Sequence, residues 1–291
     1  MPTRSVELIK HPMRVRTLEV RGVRKTGPIY QLITLGGDDL ADFETLSPTD
    51  HVGVVPPTEN GLVLPDVVDD RLRWPEGERP PMREYTVRRF DPEKRELTVR
   101  VLLHGNGPVS RWAANAQVGD MVGVTGPRAS KVMPDGFANY LFVGDLTAVP
   151  AVARWLSRLP EGAMAQVLMA GRSEEDVVEF QCPQPIWVLW LTDLAVPEAD
   201  FLVPALKELE LYSPDTFAWA AGEAVAMKKV RRILLEDHGL PKENVKVTGY
   251  WRRQRPDFDY DSPLDVLMNS GPTSAFWNLK TFLDFSLARV R

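Results

Sequence analysis

Four short stretches of this chain carry residue types suited to holding a large, flat, phosphate-bearing ligand. The first is Arg83-Glu84-Tyr85-Thr86. It offers a permanently charged guanidinium for phosphate, an aromatic ring for stacking and a short hydroxyl. In an extended strand Arg83 and Tyr85 share one face and Thr86 takes the other. Locally the same residues also read as an ordinary strand with an exposed Arg and a half-buried Tyr. The second stretch is His104-Gly105-Asn106-Gly107-Pro108-Val109-Ser110-Arg111-Trp112-Ala113. Two glycines and a proline after a strand let backbone N–H groups approach a diphosphate, and Ser110 is placed to cap a helix whose N-terminus favours an anion. A Gly-Pro turn followed by a helix with Trp112 in the core is the plain structural alternative. His104 is assigned a binding role rather than acid–base work, because a lone His at a strand end is most often a hydrogen-bonded structural residue.

The third stretch, Gly144-Asp145-Leu146-Thr147-Ala148, follows an apolar strand, where open α/β sheets bind their ligands. A Thr-capped helix after a strand explains it equally well on local grounds. The fourth joins Gly222-Glu223 to Tyr250-Trp251-Arg252-Arg253. Glu223 also suits a helix N-terminus by charge alone, and Tyr250 and Trp251 suit a core. Arg252, Arg253 and Arg255 form a local positive cluster in a chain of net charge −5. As a run they read as a solvated loop; the sharper reading is a substrate-attracting patch. With one cysteine, Cys182, and four scattered histidines, no zinc-ligand spacing is present, so no metal site is predicted.

These segments need two kinds of scaffold. Up to about residue 135, apolar residues alternate or form short runs at Val15–Val20, Tyr30–Leu35, Val52–Val55, Tyr85–Phe90, Leu97–Leu103 and Met121–Val124, separated by turn residues. Six such strands predict a closed antiparallel barrel over residues 1–135. From residue 136 to 255 buried strands at Tyr140–Val143, Ala165–Ala170, Ile186–Leu191, Phe217–Ala221 and Val245–Tyr250 alternate with helices, which predicts a parallel α/β sheet. In the first of those helices Val149, Val152, Leu156 and Leu159 form the buried stripe, with Arg154, Ser157 and Arg158 off it. Residues 256–291 are expected to fold back as a helical tail, in which Trp277 is a packing anchor or a ring that stacks over the bound ligand.

A hydrophobic content of 44% over 291 residues supports two cores rather than disorder. The acidic balance argues against nucleic-acid binding. The N-terminal segment lacks an apolar h-region and no stretch approaches the length of a membrane span, so a soluble, cytoplasmic chain is expected.

The matched segments, in order from residue 83 to 253, resemble the siderophore-interacting proteins of the ferredoxin reductase-like superfamily. Arg83–Thr86 is similar to their R-x-Y-[ST] motif, residues 104–113 to H-G-x-G-P-A-S-x-W-A with Val109 in place of Ala, and residues 144–151 to G-D-E-T-A-x-P-A with Leu146 in place of Glu. Residues 221–223 and 249–252 resemble A-G-E and G-Y-W-R. The resemblance implies a barrel that binds FAD through Arg83, Tyr85, Thr86, His104, Gly105, Gly107, Pro108, Ser110, Trp112 and Ala113. It implies a second domain whose Gly144, Asp145, Thr147, Ala148, Gly222, Glu223 and Trp251 line the nicotinamide and flavin side. Leu146 removes any role that needs the family carboxylate.

A monomeric ferric-siderophore reductase is what this implies: NADH, NADPH or ferredoxin supplies electrons, and Fe(III) in a siderophore held near Arg252, Arg253 and Arg255 receives them. Flavin can divide a two-electron hydride into single electrons, so no protein nucleophile is required. A general flavin or ferredoxin-NADP reductase, and a siderophore-binding module without catalysis, are the rival readings.

Overall fold

The computed structural model describes residues 4–77, 80–104, 107–192 and 198–253. The first strands are β1 (Glu7–Lys10), β2 (Val15–Thr26), β3 (Tyr30–Gly36), β4 (His51–Val55), β5 (Asp66–Val68), β6 (Arg71–Arg73), β7 (Arg83–Asp91) and β8 (Glu96–Leu102). Helix α1 (Pro108–Asn115), β9 (Met121–Thr125), β10 (Ala129–Val132), β11 (Asn139–Gly144), α2 (Val149–Leu156) and β12 (Met164–Gly171) follow. The described chain ends with β13 (Ile186–Thr192), α3 (Glu198–Glu208), β14 (Thr216–Glu223), α4 (Ala224–Arg232) and β15 (Val245–Trp251). No described helix is long and apolar enough to cross a membrane.

Contacts divide the chain into two compact units. One contains the residues up to Phe137 together with Val149–Gly162 and Glu175–Gln184; the other contains Ala138–Ala148, Ala163–Glu174 and the chain from Pro185.

The first unit is built on a closed barrel of order β2-β3-β8-β7-β4-β9. These are the six strands anticipated from apolar alternation. Leu18 and Val20, Ile33 and Leu35, Val52 and Val54, Leu97 and Val99, and Val122 and Val124 supply the inward positions and are fully buried. Period-two spacing places each pair on one face, and closure leaves no sheet edge unpaired. Helix α1 adds Val109 and Ala113 to the same core. Val109, the residue that departs from the family alanine, is thus a packing residue. The two-stranded pairs β1–β10 and β5–β6 were not anticipated; β5 and β6 have three residues each, too few for alternation to register.

Helix α2 departs from its expected amphipathicity. All eight of its residues are buried, Arg154 included at 3% exposure. The helix packs on β7, and Arg154 uses its guanidinium there: Nη1 donates to the Val87 carbonyl at 3.1 Å and Nη2 to Thr45 Oγ1 at 2.8 Å. An isolated helix pattern cannot show that its polar side has a carbonyl-lined seat waiting for it.

The second unit is a five-stranded parallel sheet of order β13-β12-β11-β14-β15. Its central strand β11 is buried along its whole length, which explains the unbroken apolar run Tyr140–Val143. The chain starts at β11, proceeds outward through β12 and β13, and then returns to the other side of β11 with β14 and β15. The order therefore reverses between β11 and β14, and the crevice beyond their carboxyl ends is where such sheets bind ligands.

Candidate functional site

In the first unit, β7 carries Arg83, Tyr85 and Thr86. Register pairs Arg83 with Val54, Tyr85 with Val52 and Thr86 with His51. Tyr85 therefore shares a face with a core valine and packs against the barrel core. Burial pushes its phenol up to about 12, with the Arg83 charge pulling the other way. The ring is thus held neutral and fixed, as a stacking platform must be. Thr86 is 7% exposed, and Arg83 Nη1 donates to the Met82 carbonyl at 2.8 Å.

Gly107 is the N-cap of α1 in an extended conformation, with Pro108 at the first helical position. Ser110 was expected to cap this helix. Instead no side chain caps it, and the buried Ser110 Oγ accepts a 3.0 Å bond from His104 N. The hydroxyl ties down the strand-to-helix turn, so the helix's own first N–H groups keep their capacity for an anion. A Cβ on Gly107 would lie 2.8 Å from His104 Cε1, which explains glycine here. Ala113 faces the core and its carbonyl accepts 2.8 Å from Gln31 Nε2, so it supports the helix from within. Gly105 lies outside the described residues.

Beside α1 lies a concavity of about 570 Å³ lined by Pro56, Thr58, Pro81, Pro108, Arg111 and Trp112, among others. The indole Nε1 of Trp112 is a buried donor with no hydrogen-bond partner among the described residues. Neither the Pro56–Thr58 segment nor Arg111 stood out in the sequence; the rigid Pro56-Pro57 pair was the available signal. An orphaned donor, a cation, an uncapped helix start and a fixed aromatic ring, all in one barrel, fit the phosphate and ring chemistry of FAD.

In the second unit the motif residues gather at the strand-order reversal. Gly144 ends β11 opposite Ala221, and a Cβ there would lie 2.7 Å from the Ala221 carbonyl. At Gly222 a Cβ would lie 2.5 Å from Asp145 Oδ2. Asp145 is fully buried and both carboxylate oxygens are occupied. Oδ1 accepts from Thr147 N at 2.9 Å and Thr147 Oγ1 at 2.5 Å, while Oδ2 accepts from Glu223 N at 2.9 Å and Trp251 Nε1 at 2.8 Å. Burial raises its pKa above the ordinary carboxylate value, and these four donors oppose the rise. Thr147 thus serves Asp145 instead of capping a helix, in a short 3₁₀ turn with Leu146 and Ala148, both buried.

Glu223 is the N-cap of α4: Oε2 accepts from Val225 N at 2.8 Å and Ala226 N at 2.9 Å, and Oε1 from Arg253 N at 3.3 Å. The charge expected near a helix start is present, as a direct cap. Arg252 is half-buried and Arg253 exposed. Arg255, Trp277 and the tail 256–291 lie outside the described residues.

A closed six-stranded barrel and a five-stranded parallel sheet define the class: a two-domain protein of ferredoxin reductase-like fold. A siderophore-interacting FAD-binding domain family matches residues 19–131, and the siderophore-interacting protein family matches residues 137–254. The NADPH-dependent ferric-chelate reductase of Escherichia coli is 30% identical over 84% of this chain and 95% of its own. The ferric vibriobactin reductase ViuB of Vibrio cholerae is 28% identical over 81% of this chain and 89% of its own. A siderophore utilization protein from T. fusca superposes with a TM-score of 0.82 at 36% identity, covering 88% of this chain and all of the other. The chain belongs to the siderophore-interacting protein family.

Proposed function

We propose that this protein is an FAD-dependent ferric-siderophore reductase that takes electrons from NADH or NADPH, with ferredoxin as a second possible donor, and acts as a cytoplasmic monomer. The observation that carries the reading is the make-up of one barrel: Arg83 and the immobilised Tyr85 on β7, with an uncapped helix start at Gly107. Relatives that are named reductases of ferric chelates and of ferric vibriobactin support the substrate class.

Bound FAD supplies what the side chains cannot, conversion of a two-electron donor into one-electron delivery to Fe(III). The chain's own residues position and shield. Arg83 and the first N–H groups of α1 would hold the pyrophosphate, Tyr85 would support the ring system, and the Trp112 N–H, unpartnered among the described residues, would be available to a polar group of the cofactor. Gly144 and Gly222 let the turns beyond β11 and β14 pack closely at the crevice where a nicotinamide nucleotide would bind, while Asp145 fixes the turn around them. Arg252, Arg253 and Arg255 attract the anionic ferric complex. Ferrous iron is the product, and it leaves because hard oxygen donors hold the less charged ion more weakly.

The test is an anaerobic visible spectrum. NADPH or NADH should bleach the flavin bands of the purified protein, and a ferric catecholate should restore them while a ferrous-specific chelator develops colour. A protein that takes up no FAD on reconstitution would overturn the proposal; turnover with diffusible dyes but not ferric chelates would reassign it as a general flavin reductase.

A further inference from the structure

A second recess opens within the first unit, on the outer side of the barrel. It measures about 170 Å³ and is lined by the β2–β3 hairpin from Thr26 to Tyr30, by Arg100 of β8 and by residues 175–178. None of the residues placed in the flavin or nucleotide site borders it. Outward positions of neighbouring strands meet here, since Thr26 lies opposite Tyr30 and Leu32 opposite Arg100.

Two donors in this recess are buried and have no hydrogen-bond partner among the described residues: Arg100 Nε and Thr26 Oγ1. The Arg100 guanidinium sits over the Tyr30 ring, 5.4 Å from its centroid, and that ring is only 2% exposed. Cation–π contact fixes the plane of the guanidinium but satisfies none of its N–H groups. Burial disfavours the Arg100 charge most, and the nearby Arg88 and Arg24 add to this while Tyr30 acts the other way. On the other wall Glu175 is exposed at the rim, and the buried Asp176 already has a partner. Arg24 and Arg88 thus add positive charge around Arg100, the one guanidinium among the described lining residues, against Glu175 and an Asp176 that already has a partner. A buried donor without an acceptor is costly, so two of them on residues that line one small recess point to an acceptor that the protein does not supply.

We propose that this recess is a binding site for a small oxyanion, a phosphate or a carboxylate, held by Arg100 Nε and Thr26 Oγ1 over the Tyr30 ring. The volume accommodates one such group and excludes a dinucleotide.

The test is titration calorimetry on the flavin-loaded full chain, so that the cofactor's own phosphate contacts are filled. Inorganic phosphate and acetate are titrated separately at ionic strength held constant with chloride. Saturable one-site binding of either ion is expected; phosphate alone identifies a tetrahedral oxyanion site, acetate alone a carboxylate site. Arg100→Gln and Thr26→Val should each weaken that binding by about tenfold or more, with flavin absorbance and FAD affinity unchanged. Arg100→Lys, which keeps charge but loses Nε, should fall between. Absence of saturation by both ions, which is what simple filling by water produces, would overturn the proposal. So would wild-type affinity in Arg100→Gln or, if that variant does not fold, in Thr26→Val.

Discussion

The indole N–H of Trp251 donates to the carboxylate of Asp145 across 2.8 Å, joining residues 106 positions apart in sequence. One buried carboxylate therefore holds together the ends of β11, β14 and β15. Asp145→Asn offers one acceptor oxygen to four donors and turns its NH₂ toward two of them. It should lower stability by about 2–4 kcal/mol, while Trp251→Phe, which removes a single donor, should cost about 1–2 kcal/mol. Urea unfolding at neutral pH measures both. A result in which Trp251→Phe is the more damaging would mean that packing of the indole outweighs the hydrogen bond.

Arg83→Gln should weaken FAD binding by roughly 10- to 100-fold, the worth of one charge-assisted phosphate contact. Stability of the protein without flavin should fall by only about 1 kcal/mol, since the half-buried Arg83 loses its hydrogen bond to the Met82 carbonyl. Quenching of FAD fluorescence on titration reads the first quantity, and thermal unfolding the second.

Tyr85 gives the protein an alkaline limit. Its folded pKa of about 12 lies above its ordinary value of 10.0, so the neutral phenol is the form that folding favours. The associated stability is complete below pH 10 and is lost as pH rises toward 12, a total of about 2–3 kcal/mol at 1.36 kcal/mol per pKa unit. Ultraviolet titration should show a late-ionising tyrosine that Tyr85→Phe removes, and the variant's stability should decline less steeply between those pH values.

Arg154→Met should be destabilising by about 2–4 kcal/mol, because it leaves the buried Val87 carbonyl and Thr45 hydroxyl without their donor and removes a cation that interacts favourably with the buried Asp50. Methionine keeps the aliphatic stem but not the buried guanidinium, so the cost combines the lost hydrogen bonds with the space the guanidinium filled. Guanidinium unfolding of the flavin-loaded protein is the measurement.

The double variant Arg252→Glu with Arg253→Glu should raise the apparent KM for an anionic ferric catecholate several-fold at low salt, with the difference shrinking as ionic strength rises. Steady-state reduction followed at two salt concentrations provides the comparison. An unchanged KM would remove these arginines from substrate attraction.

The six barrel strands and five sheet strands were legible because each is long enough for its inward residues to declare a period or an unbroken apolar run. The motif segments were legible by residue type. Their internal roles were not: Ser110 and Thr147 both read as helix caps, yet one hydroxyl serves His104 N and the other Asp145 Oδ1. A hydroxyl near a helix start has several acceptors and donors within reach, and only the path of the preceding turn selects one. Arg154 was misjudged for a related reason, since the carbonyl it satisfies belongs to a strand 67 residues earlier. The concavity beside Trp112 joins the Pro56 loop to α1, segments that no local spacing connects.

The first unit takes in residues 149–162 and 175–184, after the chain has already entered the parallel sheet. A flavin barrel excised at Phe137 would lose Arg154 together with the wall of the oxyanion recess. A cut at that point would therefore separate the barrel from parts of its own compact unit, because the two units are interleaved along the sequence rather than strung end to end.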